Sequence, residues 1–136
     1  MEDLIKALNE AGRKAHDDIV RTCAVGAKNH FKESFDNEGF KDKAVSKWKS
    51  VKRKDGKKIL TQSGDLRNSI KVTPQGNVLN VTSDLPYAKI HNEGGTAGRG
   101  GRTTIDKRQF IGESDSLNDT FDKEASKILN AHLKGI

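Results

Sequence analysis

Three short segments carry residue types that could do chemistry. His91-Asn92-Glu93 sets an imidazole near a carboxylate, as in metal-dependent nucleases. Such a site needs several ligands converging on one cation. His16, His30 and His132 fall on helical faces and offer no paired spacing. Ser63-Gly64 places a hydroxyl at a turn, but lacks the glycine two residues before serine that a nucleophile elbow requires. Gly98-Arg99-Gly100-Gly101 has no lysine and hydroxyl residue to close a phosphate loop. Cys23 is the single cysteine, so neither an intrachain disulfide nor a cysteine-built zinc site can form. The sequence therefore assigns no catalytic residue, metal ligand or cofactor, and an enzyme is not expected. His91 reads as a structural group whose interior hydrogen bond fixes a short helix against a sheet.

The totals point the same way. A chain of 136 residues suggests one domain. Hydrophobic residues make up 32% and aromatics 5%, a thin supply for a core. A monomer of this size buries only about two-thirds of its unfolded surface, so either long mobile segments or burial against further copies is expected. The net charge is +6, which suits an acidic or nucleic-acid partner as well as an ordinary solvated surface. No apolar run approaches the roughly 18 residues of a membrane span. The start, MEDLIKALNEAG, is acidic and lacks a long apolar block, so no secretory signal is expected. A lone cysteine fits a reducing compartment.

The elements follow from spacing. Leu4, Leu8, Ala11, Ala15, Ile19, Cys23, Ala27 and Phe31 recur at three- and four-residue steps and predict a helix over about 3–34. Asp3 is its expected N-cap. Ser34–Gly39 reads as a turn, with Asn37-Glu38-Gly39 holding the left-handed position that stops the helix. Residues 41–58 carry nine Lys and Arg against two Asp around the only tryptophan, Trp48. This segment reads as a solvated linker pinned by one buried indole. The alternative is a basic arm gripping phosphates, which would ordinarily bring several stacking aromatics. Asp55-Gly56 is a turn. Ser63 is placed to cap a short helical turn with Asp65 at its positive end. Asn68–Thr73 and Val78–Ser83, joined through Pro74-Gln75-Gly76-Asn77, predict an antiparallel hairpin. Ser83-Asp84 is the expected cap of a short helix that sets Tyr87, Ile90 and His91 on one face, with Gly94-Gly95 as its stop. Residues 94–103, rich in glycine with Arg99 and Arg102, predict a mobile loop and a candidate interface. A third strand is expected over Thr103–Phe110. The last helix, capped by Ser114 or Asp115, reaches to about 134. The fold class is α+β: a three- or four-stranded antiparallel sheet covered by a long N-terminal and a C-terminal helix.

The ordered set L-T-Q-S-G-D-L-R-N-S-I, hairpin, Y-A-K-I-H-N-E-G-G and then Arg108-Gln109-Phe110-Ile111-Gly112 resembles the phage virion morphogenesis family, the Mu-like tail-completion proteins. The resemblance covers roughly Trp48 to Ser114. It departs at Thr104-Ile105-Asp106-Lys107, where members usually include a proline. The matching positions are Trp48, Ser63, Gly64, Leu66, Ser69, Tyr87, Ala88, His91, Gly94, Arg108 and Phe110. Tyr87, His91, Arg108 and Phe110 are expected to form one structural cluster, with Arg108 paired to Glu93, Asp84 or a neighbouring subunit.

The resemblance implies a structural protein of tail completion or head–tail joining, without turnover or cofactor. Its expected partners are further copies in a ring and phage tail or neck proteins, with no membrane. Its expected place is the virion tail or neck, assembled in the bacterial cytoplasm, for an active phage or a prophage. The alternatives are a basic nucleic-acid-binding module and, more weakly, a nuclease using His91.

Overall fold

The structure is a computed structural model and describes residues 1–51, 56, 58–61 and 63–136. Lys52, Arg53, Lys54 and Lys57 of the basic segment, Asp55 of the expected turn, and Gln62 lie outside the described residues. The fold is α+β, as the spacing implied. Helix α1, Glu2–Asn37, runs further at both ends than the stripe suggested. Its N-cap is Met1 without a side-chain bond, not Asp3. Residues 34–37, expected in a turn, continue the helix because Ser34 and Phe35 are buried. The stop is where the sequence put it: Glu38 adopts the left-handed conformation (φ 49°, ψ 45°), and its N–H bonds the Ser34 carbonyl.

The chain then forms a hairpin inside the segment expected to be a linker. Strand β1, Gly39–Lys41, pairs antiparallel with β2, Val45–Lys47. Gly39 permits this, since a Cβ there would lie 2.6 Å from the Ser46 carbonyl oxygen. Helix α2, Asp65–Asn68, is one turn entered through Gly64 at φ 77°. Strands β3, Ile70–Gln75, and β4, Val78–Ser83, form the expected hairpin, with Val72 opposite Val81 and a turn at Gly76-Asn77. Helix α3 spans Ala88–Glu93. Strand β5, Gly95–Ala97, pairs with β6, Thr103–Ile105, through a short 3-10 turn at Arg99–Gly101. A hairpin thus occupies the stretch expected as a mobile loop, and the third strand ends five residues early. Helix α4, Asp115–Leu133, has Ser114 as N-cap, its hydroxyl accepting from Leu117 N–H.

Among the described residues the strands make three separate two-stranded sheets instead of one continuous sheet. Each hairpin finds its own support: β1, β3 and β4 pack on α1, and β5 packs on α3. Helix α4 runs antiparallel along α1, with Phe121 beside Gly26 and His132 beside Asp18. The core gathers where these meet, around Phe31, Phe35, Trp48, Ile70, Phe110 and Leu117.

Candidate functional site

The short helix α3 brings Tyr87 and His91 onto one side. Their rings meet edge to face at 5.9 Å and 87°, as four-residue spacing requires. Ser83 does not cap α3 itself. Its hydroxyl accepts from Leu85 N–H at 3.3 Å, one turn earlier, while Asp84 pairs with Lys71 at 2.9 Å. Ala88 is buried beneath the helix, and Tyr87 stays exposed. Gly94 ends α3 at φ 78°, where a Cβ would meet the Lys107 backbone nitrogen at 3.0 Å. That approach lets the chain before Arg108 lie against α3, and Arg108 N–H donates to the His91 carbonyl at 2.8 Å.

Arg108 is 8% exposed, and its partners differ from the carboxylates expected. Its Nε and Nη2 both donate to the Lys49 carbonyl at 3.0 Å, and Nη2 reaches the Ser50 carbonyl at 3.4 Å. Asp106 stands 3.9 Å away. The guanidinium is therefore a clamp on main-chain carbonyls, a use of its forked donors that a lysine cannot copy. The neighbouring residues continue the clamp. Trp48 Nε1–H donates to the Gln109 carbonyl at 2.8 Å, and its ring meets Phe35 edge to face at 5.6 Å. Phe110 is fully buried with its ring 5.3 Å from Phe35, and Ser34 Oγ–H reaches the Phe110 carbonyl at 3.4 Å.

Tyr87, His91 and Arg108 line one cavity of about 350 Å³ with Ser63 and Leu66. Phe110 is placed with the phenylalanine core, so the four residues form two adjoining groups joined through Arg108-Gln109-Phe110. Ser63 is exposed, its hydroxyl accepting from Asp65 N–H at 3.3 Å. Ser69 is buried and ties two elements together, donating to the Leu66 carbonyl and meeting the Ser83 hydroxyl, each at 2.6 Å. Arg99 and Arg102 lie exposed at the far end of the β5–β6 hairpin, away from this cluster.

The expected interior hydrogen bond of His91 is absent among the described residues: its Nδ1 is buried without a partner. Burial, and then the Arg108 charge, hold its pKa below the ordinary histidine value. The folded state thus binds this proton more weakly than the unfolded chain. Stability from this group is complete above about pH 6.5 and declines as the pH falls below it. We expect His91→Gln to lose that part of the decline. Thermal melting of both proteins between pH 8 and pH 5.5 reads it, and an unchanged pH dependence in the variant contradicts it.

Several contributors carried no sequence signal of their kind. Asn92 Oδ1 accepts from Phe110 N–H at 2.9 Å and Ile111 N–H at 3.0 Å, fixing the arginine segment to α3. In the sequence it read only as the middle of a metal-like triplet. Asp42, in the turn between β1 and β2, accepts from Ser116 N–H at 3.0 Å and from the Ser114 hydroxyl at 3.2 Å. The Ser116 backbone bond is the leading cause that lowers the Asp42 pKa. Glu38 Oε2 accepts from Ile59 N–H at 3.2 Å. Such long-range caps join distant segments that no local pattern connects.

The arrangement is chemically a joint. Arg108, Trp48 and Asn92 spend their polar groups on backbone amides and carbonyls of distant segments. Among the described residues no group of three or more His, Cys, Asp or Glu side chains is placed to hold a metal ion, and no helix is long and apolar enough to cross a membrane. Compared with known proteins, the chain matches the model of the phage virion morphogenesis family over residues 3–134. No curated protein and no solved structure matches it.

Proposed function

Because the chain belongs to the phage virion morphogenesis family, we propose that it is a structural protein that completes the phage tail or joins it to the head. It acts by assembling with copies of itself in a ring and by contact with tail or neck proteins, without turnover. Its place is the tail or neck of the virion, after assembly in the bacterial cytoplasm. The observation that carries this reading is the family match over nearly the whole chain, from residue 3 to residue 134. Among the described residues the β3–β4 and β5–β6 hairpins have no third strand, which suits lateral contact, since unpaired strand edges are ready templates for another chain. Deleting the coding sequence from the phage and examining particles by electron microscopy tests the proposal. Filled heads with separate, unfinished tails, rescued by the chain supplied in trans, support it. Normal joined particles without the protein contradict it.

One observation favours a second reading. The nine Lys and Arg and two Asp of residues 41–58 leave sixteen basic against seventeen acidic residues elsewhere. The whole positive excess therefore sits in one segment, as in a phosphate-binding arm. Affinity for DNA that falls steeply with salt identifies that role.

A further inference from the structure

Residues 1–14 stand beyond every other element among the described residues. His16 Nε2 lies 2.9 Å from Asn77 Oδ1 in the turn of the β3–β4 hairpin. His132 Nε2 lies 2.7 Å from Asp18 Oδ2 at the end of α4. Both supports therefore stop level with residues 16–18. The first fully buried residue of α1 is Ala15, whereas Leu4, Ile5 and Leu8 are 48%, 51% and 44% exposed. At about 1.5 Å per residue the overhang is roughly 20 Å long. A helix of this length is marginal alone in water, and none of the described elements covers Leu4, Ile5 and Leu8 of its apolar stripe.

We propose that this overhang pairs antiparallel with the overhang of a second copy of the chain, about a two-fold axis near Leu8. At about 100° per residue, Leu4, Leu8, Ala11 and Ala15 follow one line along the helix, and Asp3 and Lys14 border it on the same side. Antiparallel pairing centred on Leu8 sets Asp3 of one copy level with Arg13 of the other and one residue from Lys14, and Lys14 level with Glu2, twice. Parallel pairing would put Asp3 and Lys14 of the two copies on opposite sides of the pair, where they could not meet. The same centre places Leu4 opposite Gly12 and Ile5 opposite Ala11, so these large side chains meet small ones, while Leu8 meets its own copy on the axis. The acidic first turn, Glu2 and Asp3, then arrives near the end of the partner's α4, where Lys134 stands at the C-cap. Opposite charges at those two helix ends suit both dipoles. An isologous contact of this kind closes on itself and leaves the strand edges free. It does not depend on the tail-joint reading, because it is tested on the isolated protein.

The experiment is sedimentation of the full chain over a concentration range, with circular dichroism to confirm equal helix content. The wild type should associate to a dimer. Asp3→Lys and Lys14→Asp should each weaken association tenfold or more, and the double reversal should restore it. In a Cys23→Ala background, Leu8→Cys should form a symmetric disulfide under mild oxidation. A wild type that stays monomeric, or single reversals that associate normally, overturns the proposal. So does a bond to the native Cys23 when Leu8→Cys is made in the chain that retains it. Cys23 lines a separate apolar groove of about 660 Å³ between α1, β4 and α4, so that bond would place the overhang there.

Discussion

Replacing Trp48 with alanine should cost about 3–5 kcal/mol of folding stability, the range for emptying a large buried aromatic site. The indole is 8% exposed despite its lysine-rich surroundings. It bridges three segments at once: its backbone N–H donates to the Glu38 carbonyl at 2.7 Å, its ring packs on Phe35, and its Nε1–H holds Gln109. Trp48→Phe should keep much of the packing and lose the Gln109 bond, at about 1–3 kcal/mol for the stranded carbonyl. Denaturant midpoints measured by circular dichroism give both values. A loss under about 1 kcal/mol for Trp48→Ala would mean that the indole is not the pin described here.

The second large effect is expected at Arg108. Arg108→Ala should cost about 3 kcal/mol, because it strands the Lys49 and Ser50 carbonyls that the guanidinium satisfies from a buried position. Arg108→Lys should recover only part of this, since an ammonium cannot reproduce the fork. The outcome separates a clamp from an exposed interface arginine. If Arg108 served mainly a partner, the isolated alanine variant would melt like the wild type and fail only in assembly.

The parts of the fold that were legible in the sequence are those with a repeating physical signal. The stripe from Ala15 to Phe31 shows helical period because α4 and the hairpins bury one side of α1. The β3–β4 hairpin shows alternation and a Gly76-Asn77 turn. Ser114 is legible as a cap because its hydroxyl bonds a backbone amide three residues on. The hidden parts lack such a signal. All three residues of β2 are exposed, so β1–β2 shows no alternation and rests on backbone pairing, the close fit at Gly39 and the Phe40 ring stacked on Phe31. Strand β5 holds a glycine, a threonine and an alanine, and reads as loop. Arg108 invited a carboxylate partner because charge pairing is visible in a sequence, whereas a carbonyl belongs to every residue. Asn92 and Asp42 act on amides of segments far along the chain, so their roles exist only once the chain has folded. The sequence grouped Tyr87, His91, Arg108 and Phe110 as one cluster, whereas the structure divides them between the cavity and the phenylalanine core.

The role proposed above is that of an assembled component of the virion, acting without turnover. Cryo-electron microscopy of purified particles, at the tail end that meets the head, tests it most directly. A closed ring of copies of this chain is expected at that joint, with the α1–α4 pair and the Trp48–Arg108 clamp recognisable in each. Particles with complete, joined tails that contain no copy of the chain would contradict it.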